Sequence, residues 1–197
     1  MCETDKQTVW SACCTAFFGS ARMGELLAKS EASLDQTSDL VWEDIKIKPQ
    51  HIIIHIKLPK CRTSEGEFID LFSFEQNNYC PVQSILSHQA MQKEAGLWDS
   101  RGSVFRLGDG SNLTTTSLNR TLRELLREVV DYSKDAILCH SFRAGVASSL
   151  ERFPNLASSE DIKGWGRWES AAFKKYARLK VDKRREIFEK ISRAISS

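Results

Sequence analysis

The chain has 197 residues, of which 41% are hydrophobic and 27% charged, so we expect one domain that buries about two-thirds of its unfolded surface. No apolar run approaches the roughly 18 residues of a membrane span, and no secretory signal opens the chain. Six cysteines without a CxxC pair or regular spacing argue against a disulfide framework and a zinc site, and indicate free thiols. We therefore expect a folded intracellular protein with no membrane partner.

The formal net charge of +2 is unevenly distributed. Residues 160–197 contain 11 Lys and Arg against 6 Asp and Glu, and the rest of the chain is slightly acidic. A basic end with interleaved Trp, Phe and Tyr fits a polyanion such as DNA, because Lys and Arg neutralise phosphates. A solvated helix face of mixed charge is the alternative.

The first predicted element is one helix, or two, over residues 7–29, interrupted by Gly19 and Gly24. It contains FFGSARMGELL, in which Arg22 and Glu25 are three residues apart and would share a helix face. Taken alone, this pair is ordinary, since a surface arginine often pairs with a nearby acid.

Three strand-like runs follow a polar loop: LVWEDIKI, HIIIHIKL and EFIDLF. In the second run, alternation predicts a buried face of isoleucines that continues to Leu58. The turn before the third run carries Lys60 and Arg62. We expect a small three-stranded antiparallel sheet with a basic hairpin tip.

The rest of the chain is predicted to be mostly helical. Pro81 suits the first position of a helix, and a leucine stripe runs through residues 115–132. In HSFRAGVASSLERF, the apolar stripe should face the core, with His140 and Arg143 off it. SSEDIKGW then has the capping residues of a short helix, which WGRW ends. The prediction is an α+β, mostly helical single domain.

In this order, the motifs resemble the catalytic domain of the tyrosine recombinases, the phage integrase-like enzymes. The stretches FFGSARMGELL, LVWEDI, CPVQSILSH, HSFRAGVASSL and GRWESAAFKKYARL are most similar to the eukaryotic mobile-element branch, which includes the DIRS, Ngaro and Crypton recombinases. The resemblance covers about residues 8–180 and implies the fold of that family.

The resemblance also implies the catalytic residues. They are Arg22, Lys60, His140, Arg143, Arg167, Trp168 and Tyr176, with Glu25 and Arg62 in support and Lys174, Lys175 and Arg178 on DNA. Two alignments stay open: the hairpin residue is Lys60 or Arg62, and either Arg167 or Trp168 fills the place of the family's second His or Trp. Tyr176 lies ten residues after Gly166, the family interval.

These residue types suit the chemistry of phosphoryl transfer. Arg22 and Arg143 would grip the non-bridging oxygens of a DNA phosphate, and Tyr176 would attack it with help from His140. Lys60 would protonate the departing 5′ oxygen. The 3′-phosphotyrosyl link conserves the energy of the broken phosphodiester bond, so a 5′ hydroxyl can rejoin the strand. The reaction then needs neither a metal nor another cofactor.

The resemblance further implies the setting. Residues 1–197 would be the catalytic domain, with a C-terminal helix over 180–197 exchanged between subunits and the family's N-terminal DNA-clamping domain absent. The expected partners are double-stranded DNA and, on DNA, further copies of the chain as a dimer or tetramer; a monomer alone is the alternative. The expected location is the nucleus, and the expected task is integration or excision of a mobile element. The alternatives are an inactive DNA-binding derivative and a type IB topoisomerase-like enzyme.

Overall fold

The computed structural model of the chain describes residues 1–59, 66–74, 79–129, 139, 141–151, 155, 157–167, 185, 186 and 189. The helices there are α1 (Glu3–Phe18), α2 (Met23–Leu26), α3 (Pro81–Glu94), α4 (Thr115–Val129), α5 (Ser141–Glu151) and α6 (Ser159–Trp165). The strands are β1 (Ile45–Lys48), β2 (His51–Ile56) and β3 (Glu67–Phe72). The architecture is α+β with a small three-stranded antiparallel sheet, as the sequence predicts for the class.

The sheet has the order β1-β2-β3, with Ile54 of β2 opposite both Ile45 and Ile69. The alternation of β2 is confirmed, because Ile52, Ile54 and Ile56 are buried. The prediction fails at its end: β2 stops at Ile56, and Leu58 is 56% exposed.

The first strand also starts later than predicted. Residues Trp42–Asp44 form one turn of 3₁₀ helix, so β1 begins at Ile45. The Asp44 carboxylate fixes that turn by accepting a hydrogen bond from the Val41 backbone N–H at 2.9 Å and pairing with Lys57 at 2.8 Å. This local pairing overrides the β-propensity of the run.

Helix α1 is the centre of the helical layer and packs against α3 and α5. Its buried residues are Thr8, Val9, Ser11, Ala12, Cys14, Thr15, Ala16 and Phe18. Helix α3 begins at Pro81, as predicted, with Cys80 as its N-cap. In α5, Val146 and Leu150 are buried, which confirms the predicted core stripe.

The buried side of α3 is more polar than the sequence pattern indicates. Ala90 is exposed, whereas His88 and Gln92 are buried. Gln92 accepts a hydrogen bond from the Trp42 indole N–H at 2.9 Å, and the His88 Nε2 lies 2.8 Å from the Val104 carbonyl oxygen. These bonds satisfy polar groups whose burial would otherwise be costly.

Helix α4 is predicted correctly at its start and only partly along its apolar stripe. The Thr114 hydroxyl caps it by accepting the Ser117 backbone N–H at 3.1 Å. Leu118 is fully buried, but Leu125, on the same predicted stripe, is exposed.

The cysteines within the described part of the chain are free thiols, as expected: Cys2, Cys13, Cys14, Cys80 and Cys139. Burial raises the pKa of Cys14 to about 12 and that of Cys139 to about 11, so these thiols stay protonated at neutral pH. Among the described helices, none has the length and apolar character needed to cross a membrane.

The burial of His88 predicts a pH dependence of stability. Burial lowers the pKa of His88 to about 4 from 6.5, although the bond to Val104 opposes the shift. The resulting stability is present above pH 6.5 and is lost as the pH falls toward 4, because the unfolded chain binds the proton first. When the pH is lowered from 8 to 5, the free energy of unfolding should fall in both proteins. We expect the fall to be about 2 kcal/mol smaller in His88→Gln than in the wild-type chain. Urea unfolding at both pH values measures this difference, and parallel losses in the two proteins would contradict it.

Candidate functional site

The reversal between α1 and α2 places Arg22 close to the sheet. Gly19 follows α1, and a Cβ atom there would lie 2.7 Å from the Ile69 Cγ2 of β3, so only glycine fits without a shift. Ser20 has a φ of +47°, and the Ala21 backbone N–H donates to the Ala16 carbonyl at 3.0 Å. The chain therefore turns sharply against β3 and emerges at Arg22.

Arg22 is the N-cap of α2, and Glu25 folds back onto it. Glu25 Oε2 accepts the Arg22 backbone N–H at 3.1 Å, and Oε1 accepts from Arg22 Nη1 at 2.9 Å. The predicted pairing is present, but through a cap and not along a helix face. The Arg22 side chain is 31% exposed, and that of Glu25 only 5%.

Arg167 approaches the same carboxylate from the far end of the chain. Its Nη2 lies 2.6 Å from Glu25 Oε2, and its Nη1 lies 2.6 Å from Glu67 Oε2 at the start of β3. Arg167 has a φ of +51° directly after Gly166, the C-cap of α6. Both terminal nitrogens of its guanidinium are thus bound to carboxylates.

Arg143 joins the group through the backbone. One of its terminal nitrogens donates to the carbonyl oxygen of Gly166, the neighbour of Arg167. The sequence places Arg143 off the apolar stripe of α5, yet the residue is only 6% exposed. A buried guanidinium requires such partners.

Helix α6 is fixed at both ends. Ser158 caps its start by accepting the Asp161 backbone N–H at 3.1 Å, as the sequence predicts. Near its end, the Trp165 indole N–H donates to the Phe18 carbonyl at 3.2 Å. Because Phe18 ends α1, the same contact holds Gly166 and Arg167 beside the turn that carries Arg22.

The electrostatics of the group follow from Glu25. Burial raises the pKa of its carboxyl, but the charge of Arg167 and the hydrogen bonds from Arg22 and Arg167 outweigh burial and hold the pKa below its usual value. The Arg22 and Arg167 guanidiniums pair with the carboxylates of Glu25 and Glu67, and the Arg143 guanidinium binds the Gly166 carbonyl, so these five described side chains carry one excess positive charge. Such a group can attract one anionic phosphodiester.

The structure therefore brings together four of the residues singled out in the sequence: Arg22, Glu25, Arg143 and Arg167. The others lie outside the described residues: Lys60, Arg62, His140, Trp168, Lys174, Lys175, Tyr176 and Arg178. Their assigned roles stay predictions. In the described ranges, no group of His, Cys, Asp and Glu side chains is arranged to hold a metal ion.

Sequence reasoning missed Glu67. Its register opposite Ile56 and its spacing of two residues from Ile69 and four from Leu71 place it on the core-facing side of β3. The signal was available, because a carboxylate that shares a strand face with buried residues needs a cation.

Comparison with protein-family models, with curated proteins and with solved structures finds no match for this chain.

Glu25 should dominate the stability of this region. We expect Glu25→Gln to lower the free energy of unfolding at pH 7 by about 3 kcal/mol, because two partly buried guanidiniums lose their shared anion. With its pKa lowered below 4.5, Glu25 contributes stability that is present above that pH and lost as the pH falls through the folded value. The variant should lack this acid-dependent loss.

Denaturant unfolding at pH 7 and in steps below pH 4.5 tests this expectation. The exposed Glu94 provides the matched control, since Glu94→Gln makes the same chemical change on the surface. Equal effects of the two substitutions would show that the buried carboxylate has no special role.

Proposed function

We propose that this chain is a DNA strand-cleaving and rejoining domain of the tyrosine recombinase class, which acts through a 3′-phosphotyrosyl intermediate on Tyr176. It would serve integration or excision of a mobile element and act in the nucleus, as a dimer or tetramer on DNA. The observation that carries the proposal is the pairing of Arg22 and Arg167 with the Glu25 carboxylate, with Arg143 bound to the Gly166 carbonyl next to Arg167. Residues 25 and 167 are 142 positions apart, and the resemblance assigns both of them to one site.

Within this proposal, Arg22 is the arginine that meets the phosphate from the open side. It is the most exposed of the three, and the contact with Glu25 uses one of its five N–H donors. Arg143 lies deeper, with its guanidinium oriented by the Gly166 carbonyl. Two guanidiniums fixed before the phosphate arrives favour the charge that develops on its oxygens during attack.

The hairpin between β2 and β3 connects to the same group. The segment that links the two strands contains Lys60 and Arg62, the candidates for protonation of the 5′ oxygen. Glu67 begins β3 directly after that segment and binds Arg167. This contact supports a role for the hairpin at the site.

One observation favours a second candidate, a DNA-binding derivative of the same fold without catalysis. The guanidinium of Arg167 is bound to two carboxylates, and that of Arg143 to a carbonyl. Arginines held in this way also suit a purely structural role, so the experiments must separate adduct formation from DNA binding.

The central prediction concerns Tyr176. The substrates are nicked duplexes made from the DNA that flanks the coding region, searched first for short inverted or direct repeats. With these duplexes the wild-type chain should form a covalent protein–DNA adduct, and Tyr176→Phe should form none. The phenol oxygen is the only atom removed, so DNA affinity should stay within about twofold. Denaturing gel electrophoresis detects the adduct, and filter binding measures affinity.

Binding of these duplexes by the wild-type chain without any adduct would favour the DNA-binding derivative. An adduct that survives in Tyr176→Phe would contradict the assigned nucleophile. Relaxation of supercoiled plasmid by the monomer would favour a type IB topoisomerase-like enzyme.

A second prediction concerns Arg22. Arg22→Lys keeps a positive charge beside Glu25 but loses the planar fork, so we expect the single-turnover cleavage rate to fall by about 10²- to 10³-fold. Stability should change little, since Lys can still pair with Glu25. Arg101→Lys at an exposed site is the control, and a rate for Arg22→Lys equal to that of the control would remove Arg22 from the clamp.

A further inference from the structure

A row of alternating charges joins the sheet to Arg22. It runs from Glu67 to Arg167 over 2.6 Å, from Arg167 to Glu25 over 2.6 Å, and from Glu25 to Arg22 over 2.9 Å. The four side chains come from the start of β3, the end of α6 and the start of α2. Each inner member is shared by two partners, so the orientation of each depends on the next.

The row is sheltered from water along most of its length. The exposed fraction of the side chain is 5% for Glu25, 15% for Arg167 and 19% for Glu67, against 31% for Arg22. Ion pairs that are sheltered from water hold their geometry more tightly than surface pairs, because solvent cannot take the place of a lost partner. A change at Glu67 should therefore reach Arg22.

The backbone at Arg167 adopts a conformation that is uncommon for an arginine. Its φ of +51° lies in the left-handed region, directly after the C-cap Gly166, where glycine is the favoured residue. The side-chain contacts of Arg167 offset the cost of this conformation. The contacts within the described part of the chain are the two carboxylates, and the buried Nε has no hydrogen-bond partner there.

We propose that Glu67 and Arg167 are positioning residues, which set the direction of the Arg22 guanidinium through Glu25 and do not themselves contact the DNA phosphate. The inference rests on the proposed function for its substrate, a phosphodiester. The inference also bears on which residue fills the position of the family's second His or Trp, where the side chain would contact the phosphate. If Arg167 is a positioning residue, that position belongs to Trp168.

Glu67 further connects the site to the hairpin. It lies opposite Ile56 at the last described pair of β2 and β3, next to the segment that contains Lys60. A shift of Glu67 would thus change the position of the Arg22 side chain and that of the strand β3.

The first experiment does not depend on activity. In ¹⁵N-labelled protein, the guanidinium resonances of Arg22 should shift and broaden in Glu67→Gln, although residue 67 does not contact Arg22. Glu94→Gln should leave them unchanged. Arg22 resonances that are identical in the wild-type chain and in Glu67→Gln would overturn the inference, whether or not the protein cleaves DNA.

The second experiment uses the nicked duplexes. We expect Glu67→Gln to lower the single-turnover cleavage rate by roughly ten- to a hundredfold, the effect of a small misplacement of reacting groups, with DNA affinity within about twofold. Arg167→Gly should lower the rate at least as much while relieving the backbone strain. Adding Glu67→Gln to Arg167→Gly should cause no further loss, because the substitution acts through Arg167.

The outcomes separate the two proposals. If the wild-type chain forms no adduct, the recombinase function fails, and the Arg22 resonances still decide whether the row of charges exists. If the adduct forms but the two substitutions multiply their losses, Glu67 acts independently of Arg167 and the positioning role is wrong. Full cleavage activity in Arg167→Gly would also exclude it.

Discussion

The site depends on one interaction, the buried carboxylate of Glu25 between the guanidiniums of Arg22 and Arg167. A carboxylate that is only 5% exposed stays ionised because cations replace the water it has lost. Its pKa is held low by those cations against the opposing effect of burial. Because one cation lies at the start of α2 and the other follows α6, this single charge joins the start of α2 to the turn after α6.

Other features of the fold hold the partners of Glu25 in place. Gly19 lets the chain turn against Ile69, which presents Arg22 beside β3. The Trp165 indole binds the last carbonyl of α1 and so places the end of α6 at the same turn. Residue 167 then adopts a left-handed backbone, and its side chain lies between Glu25 and Glu67. Neutral contacts thus set the distances across which the charges act.

Local patterns in the sequence predicted much of the fold and several residues of the site. The alternation in β2, Pro81 at the start of α3 and Ser158 before α6 each reflect a rule that acts within a few residues. The burial of His88 and Gln92 broke the apolar pattern, since both depend on the Val104 carbonyl, which comes from another part of the chain. Arg22, Glu25, Arg143 and Arg167 were all named, but of the contacts among them only the Arg22–Glu25 pair was predicted.

The sequence by itself determined the types of element, the starts of α3 and α6, the inward face of β2 and the pairing of Arg22 with Glu25. Only the tertiary structure decided which acids Arg167 binds, that Arg143 is buried, and that Glu67 belongs to the group. The physical reason is range. Helical and strand periodicities relate residues two to four positions apart, whereas the partners of Arg167 lie 100 and 142 positions away and are set by how α1, α6 and β3 pack.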